Sequence, residues 1–115
     1  MDVMQKVLEM ATITIAKDFS STPGARHRSD GLYSGEDFRE RLLEPHFKDP
    51  KATEEVTVVL DGTEGYASSF LEEAFGGLAR IYGTEVCKER LVFVSTEDEL
   101  LEDEILYYIE HPHGK

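Results

Sequence analysis

The stretch Val56 to Tyr82, VTVVLDGTEGYASSFLEEAFGGLARIY, carries the strongest structural signal in the chain: an apolar strand, a turn with two adjacent serines, then an amphipathic helix. Val56, Val58, Val59 and Leu60 form a short, nearly continuous aliphatic run, the pattern of a strand covered on both faces. Asp61-Gly62 breaks it. From Phe70 onward the apolar residues fall at Phe70, Leu71, Ala74, Phe75, Leu78, Ile81 and Tyr82, the stripe of a helix over Ser69 to Tyr82 with one buried face. Its opposite face carries Ser69, Glu72, Glu73, Gly76 and Arg80.

On the N-terminal side, Thr12, Ile13, Thr14 and Ile15 alternate as in a strand reaching Ala16, with the isoleucines on one face. Met1 to Met10 fits a helix through Val3, Met4, Val7 and Leu8, and equally a strand added to the sheet edge. Phe19 to Tyr33, with Pro23, Gly24, Gly31, Arg26 and Arg28, has the composition of an irregular, solvent-facing loop. Ser34 with Asp37 is a capping-box variant opening a helix to Leu43, which Pro45 ends or bends. A polar linker from Lys48 to Glu55 leads to the Val56 strand. A third strand, Leu91 to Val94, precedes Thr96 and Glu99, a second capping box. The helix it opens, Asp98 to Ile109, carries Glu97, Asp98 and Glu99 at its positive end and stops before His111-Pro112-His113-Gly114. Strands alternating with helices, without repeats, predict one α/β domain over residues 1–115: a small sandwich with a central mixed or parallel sheet flanked by helices.

The 115 residues suffice for one modest core. With 24 acidic residues against 12 Lys plus Arg, the net charge of −12 repels phosphate backbones, argues against direct nucleic-acid binding and favours a basic partner. Cys87 stands alone, so no internal disulfide forms, and a reducing, cytoplasmic setting follows. No apolar run approaches the roughly 20 residues of a membrane span, and the N-terminus lacks a basic segment followed by an apolar core.

The turn Ala67-Ser68-Ser69-Phe70-Leu71 resembles the Asp-Ser-Ser-Gly-Leu turn of STAS domains, the fold of bacterial anti-sigma factor antagonists, with both serines and the leucine matching. The chain is also similar to a STAS-like family of small bacterial proteins of unknown function. That likeness rests on Phe19-Ser20, Pro23-Gly24, Arg26, Ser34-Gly35-Glu36 with Phe38, and Ser68-Ser69-Phe70 with Phe75-Gly76, and runs from about Ile13 to the C-terminus. It implies a STAS-like fold, a phosphoacceptor at Ser69 or Ser68, and a partner of the histidine-kinase-like ATPase type.

Each candidate site also has a plain structural reading. Ser69, three residues before Glu72, fits a helix N-cap as well as a phosphoacceptor. Gly76 and Gly77 inside a helix imply close approach of another backbone; alternatively Ser69, Glu73, Gly76 and Arg80 form a shallow partner-binding groove. Arg26 and Arg28 form an anion-binding loop, or neutralise nearby carboxylates. His111 and His113 are too weak a pair to define a metal site, and Cys87 has no assignable histidine partner, so no metal, cofactor or catalytic constellation is expected. The expectation is a non-enzymatic regulatory module that binds a protein. The alternative is an acidic inhibitor, like some encoded by phage, that mimics nucleic acid through the six acids in eight positions of Glu97 to Glu104.

Overall fold

A computed structural model describes residues 11–114, so the reading of Met1 to Met10 lies outside the described residues. Strands β1 (Thr12–Thr14), β2 (Val56–Val59) and β3 (Leu91–Val94) form a parallel sheet in the order β1-β2-β3. The register sets Ile13 beside Val58 and Val58 beside Phe93. Crossovers between parallel strands are right-handed almost without exception, and this strand order advances in one direction, so both connections fall on the same side of the sheet. Ile13, Val56, Val58 and Leu91 are buried on that side, where Phe93 meets Phe75 at 5.4 Å. The other side carries Thr12, Thr14, Thr57, Val59, Val92 and Val94, all half-buried or exposed. The β2 strand, read from its apolar run as covered on both faces, is thus covered by the described helices on one.

Four helices make that cover: α1 (residues 35–43), α2 (residues 68–82), α3 (Thr84–Arg90) and α4 (Leu101–Glu110). None is long and apolar enough to cross a membrane. The core joins Phe38 and Leu43 of α1, Phe70, Leu71, Phe75 and Leu78 of α2, and Ile105 and Ile109 of α4 to the covered sheet face. Ser34 caps α1 as its spacing predicts, accepting from Asp37 N–H at 3.0 Å. Pro45 sits in the tight turn Glu44–His46 that closes it.

Other boundaries move for identifiable reasons. β1 stops at Thr14 instead of Ala16, because the Asp18 carboxylate takes the Thr14 N–H at 2.7 Å and the chain winds into a wide turn, Ile15–Phe19. Ile15 stays buried. α3 has no periodic signal to announce it: within its seven residues Cys87 is buried and Val86 exposed. Gly83, at φ +99°, separates it from α2. α4 begins at Leu101 instead of Asp98: Thr96 lies outside the helix with its hydroxyl donating to Asp61, and Asp98 forms a turn of its own, its carboxylate taking the Leu100 N–H at 3.0 Å. Glu97, Asp98 and Glu99 therefore precede the helix, and Glu102, Asp103 and Glu104 occupy its first turn.

Helix α2 changes pitch in the middle. Across Glu72–Gly76 the Gly77 N–H reaches back to the carbonyls of Glu72 and Ala74. The Glu73 carbonyl, which that N–H would take in a regular α-helix, instead accepts from Arg39 Nη1 of α1 at 2.9 Å. The same guanidinium holds Glu73 Oε2 at 2.5 Å and Glu44 Oε2 at 2.9 Å. Both Arg39 and Glu73 are buried. Two glycines make room for this contact. A Cβ on Gly77 would lie 2.6 Å from Arg39 Nη1, and one on Gly35 would lie 2.5 Å from the Phe70 carbonyl oxygen.

Alanine ordinarily stabilises a helix over glycine by about 1 kcal/mol. Gly77→Ala is expected to do the reverse, lowering stability by roughly 2–4 kcal/mol, because displacing Arg39 strands the buried Glu73 carboxylate. Urea unfolding measures it; a variant as stable as the parent would show that α2 does not need this close approach.

Candidate functional site: the serine turn and the cavity beside it

The chain leaves β2 through Leu60, whose N–H donates to the Val94 carbonyl at 2.8 Å, and reaches Asp61 at the carboxyl end of the sheet. Register continued from Val59 beside Val94 brings Asp61 level with Thr96. The Asp61 carboxylate accepts from the Thr96 hydroxyl at 2.6 Å and from the N–H groups of Thr96 and Glu97, each at 2.9 Å. Gly62 N–H returns a bond to Glu97 Oε1 at 2.8 Å, so the loops after β2 and β3 are tied together. The Thr96 hydroxyl first, then the Glu97 and Thr96 amides, hold the Asp61 carboxyl below its ordinary value. Tyr66 donates to the Leu60 carbonyl at 2.7 Å, and burial pushes its phenol up to about 12.

These loops and the start of α4 bound an open cavity of about 390 Å³. Leu60, Tyr66 and Leu101 supply apolar lining, and Asp61, Glu64, Glu97, Asp98 and Glu104 supply five carboxylates. It opens past the carboxyl ends of parallel strands, where α/β sheets commonly bind ligands.

The serine turn follows the cavity loop. The N-cap of α2 is Ala67, with φ −70° and ψ 143°, and no side chain caps it. Ser68 is the first helical residue and Ser69 the second, which corrects the reading of Ser69 as a cap. Ser68 is exposed and Ser69 half-buried. Across from them the Tyr108 hydroxyl donates to Glu104 Oε2 at 2.7 Å; burial first, then that carboxylate, raises the phenol above its ordinary value, with Ser68 acting in the opposite sense.

The groove expected from Ser69, Glu73, Gly76 and Arg80 is filled by the protein's own atoms. Glu73 is 9% exposed and bound by Arg39. Gly76 is buried under α4, with its Cβ position 3.4 Å from the Tyr108 carbonyl oxygen. Arg80 is exposed, but donates to Glu72 Oε2 and to the Pro112 carbonyl, each at 2.6 Å. The arginine loop is similarly committed. Arg26 pairs with Glu72 and, at 3.4 Å, with Glu73, while Arg28 pairs with Asp37 at 3.0 Å and with Glu40. Burial works to raise the Glu72 carboxyl, but Arg80 and Arg26 outweigh it and hold the group below its ordinary value. Backbone bonds from Gly24 to Tyr33 at 2.8 Å and from Gly35 to Ala25 at 2.9 Å order the loop. In a chain with twice as many acids as bases these guanidiniums find carboxylates nearby, so the structure holds them against the fold instead of presenting them as an anion site.

Cys87 is fully buried, and burial, against a small opposing effect of Arg90, pushes its thiol up to about 12, so it carries no thiolate near neutral pH. His111 stacks on Tyr107 at 4.2 Å, and its Nδ1 lies 2.8 Å from the Tyr107 carbonyl oxygen. Among the described residues no group of three or more His, Cys, Asp or Glu could hold a metal ion.

A family profile described as a STAS-like domain of unknown function (DUF4325) matches residues 34–101, more than half of the chain. The protein belongs to that STAS-like family. No curated protein and no solved structure matches it. The matched span of the STAS-like domain holds the Ser34 cap, the Arg39–Glu73 pair, the Asp61–Thr96 tie and the serine turn. Phe19-Ser20, Pro23-Gly24 and Arg26, which carried part of the resemblance, lie outside it.

Sequence reasoning missed two groups. Asp61 was read only as a turn residue, although its place just past β2 and the parallel register were enough to set it beside Thr96. Arg90, at the end of α3, lies 4.4 Å over the Phe47 ring and donates to the carbonyls of His46 at 2.7 Å and Glu54 at 2.9 Å. Nothing in a lone arginine before a strand announces that.

Because the Asp61 carboxyl titrates below its unfolded value, its contribution favours the folded chain above about pH 3.9 and is lost as pH falls through the lower folded value. Carbon NMR should show Asp61 titrating at lower pH than an aspartate in a peptide. Asp61→Asn should remove that transition and speed hydrogen exchange at Thr96 and Glu97. An ordinary titration midpoint would show that the tie between the loops is not formed in solution.

Proposed function

We propose that this STAS-like domain is a non-enzymatic, cytoplasmic regulatory module that binds another protein through its serine turn. The observation that carries the reading is how α2 is used. From Phe70 to Ala79 only Glu72 is not buried, and it is tied to Arg26 and Arg80, so α2 offers a partner only its two ends, of which the N-terminal one is the turn at Ala67 and Ser68. Ser68 stands there exposed at the positive end of a 15-residue helix, where the Ser68 and Ser69 amides have no hydrogen-bond partner among the described residues.

The resemblance of the turn to the STAS serine turn supports a partner of the histidine-kinase-like ATPase type, which would phosphorylate or recognise Ser68-Ser69. Of the two, Ser68 is the more accessible acceptor. Carboxylates around the adjoining cavity and the net charge of −12 favour Lys or Arg on the partner surface that meets the turn. A second reading, an acidic mimic of nucleic acid, draws on the exposed residues Glu97, Asp98, Glu99, Glu102 and Asp103. Salt separates the two: affinity held by many charges falls steeply as salt rises, and affinity held by a docked turn does not.

Ser68→Asp is expected to change affinity for a partner captured from the native host by about tenfold, roughly 1.4 kcal/mol, while leaving the melting temperature near the parent value. Ser68→Ala should abolish any phosphate transfer from a co-purified ATPase. Transfer that persists in Ser68→Ala and disappears in Ser69→Ala would move the acceptor to Ser69. Binding indifferent to all three substitutions would refute the serine-turn reading.

A further inference from the structure

Among the described residues, no strand pairs with the outer side of β3. Leu60 N–H donates to the Val94 carbonyl and Thr57 N–H donates to the Ala11 carbonyl. Main-chain groups of a parallel strand alternate between its two neighbours, so Val92 and Val94 turn theirs toward β2. Leu91, Phe93 and Ser95 turn theirs away from the sheet. Leu91 N–H is satisfied by the Cys87 carbonyl at the end of α3. For the Leu91 carbonyl, both main-chain groups of Phe93 and the Ser95 N–H, no hydrogen-bond partner is found among the described residues.

This edge has few of the features by which proteins usually blunt an open strand. Leu91 to Val94 contains no charge, no proline and no bulge, and the Val94 side chain is 36% exposed. Exposed Glu97, Asp98 and Glu99 follow immediately at its carboxyl end. A second copy of a chain carrying −12 would meet repulsion there.

We propose that the outer edge of β3 receives an extended segment of a partner protein, with β-branched or apolar side chains and a Lys or Arg at the end level with Ser95 to Glu99. The proposal rests on the partner-binding reading and specifies the chemistry of one surface. Main-chain bonds to Phe93 and Ser95 supply the pairing, Val92 and Val94 supply apolar neighbours on the open face of the sheet, and the acids select the basic end.

The test uses the full chain and a blocked synthetic peptide, Lys-Thr-Val-Thr-Val-Thr-Lys, with hydrogen exchange of the Phe93 and Ser95 amides read by NMR. Both amides are expected to exchange quickly in the isolated chain and to slow by at least about tenfold at saturating peptide. A peptide with Glu in place of both Lys should bind at least about fivefold more weakly, as should the parent peptide to Val94→Lys. Slow exchange without peptide at high dilution would mean that the chain covers its own edge. Protection that grows with chain concentration alone would mean that a second copy does, and either result overturns the proposal, as does equal binding of the two peptides. Ser68→Ala should leave peptide binding unchanged, so failure at the edge and failure of the serine turn are read separately.

Discussion

The buried pair of Arg39 and Glu73 fixes how the helices stack. Removing either charge from such a site costs about 3–5 kcal/mol, while replacing both with well-fitted apolar groups is often neutral. Its value to this fold is therefore positional more than energetic. Arg39 reaches a carbonyl that only a widened turn of α2 leaves free, crosses that helix at Gly77, where no side chain stands in the way, and also holds Glu44 at the end of its own helix. Sliding α1 along α2 by one residue would break the first two relations. Gly35, pressed against the Phe70 carbonyl, sets the same register at the other end of α1.

That stacking determines which surfaces remain for other molecules. A sheet with all its crossovers on one side presses α2 against the strands, and α1 and α4 then close over its flanks. The polar stripe that looks like a docking face in the sequence is consumed internally: Glu73 by Arg39, Gly76 by the backbone of α4, Arg80 by Glu72 and Pro112. Among the described residues, the surfaces that remain include the first turn of α2, the cavity at the carboxyl end of the sheet, the far sheet face and the β3 edge, beside exposed Leu32 and Leu100.

How much of this the sequence revealed depends on how local the cause was. Leu91 to Val94 is a strand with the boundaries its apolar run predicts, and Ser34 caps α1 because cap and partner lie three residues apart. Phe70, Leu71, Ala74, Phe75 and Leu78 are buried as their helical spacing requires, whereas Ile81 on the same stripe is exposed at the end of α2. Errors arose where a distant residue claimed a group the local reading had assigned. Asp61 ties Thr96, expected as a cap, into the loop ahead of the helix, and Asp18 takes the Thr14 amide so that β1 ends before Ile15 and Ala16. Of the two readings of the arginine loop, the ion pairs match the neutralising one, but the partners Glu72, Glu73, Asp37 and Glu40 belong to other segments and cannot be named from the loop itself. Short α3 left no trace because one buried cysteine in seven residues makes no period.

Electrostatics gives the proposed reading of the serine turn a direction. Ser68 sits at a helix N-terminus, which favours added negative charge, but Glu104 lies beside it through Tyr108, Glu72 is one turn along, and the cavity next to it is lined by carboxylates. Glu72 is already neutralised by Arg26 and Arg80, whereas among the described residues the Glu104 carboxylate has only the Tyr108 hydroxyl. A phosphate on Ser68 would therefore gain from the helix dipole and lose against Glu104 and the cavity. The two effects oppose each other within the folded chain. A basic partner surface would feel only one sign: it would meet a turn flanked by carboxylates before phosphorylation and a more negative one after it. On the proposed reading the modification would therefore act on the complex more than on the fold, which is the property a regulatory site requires.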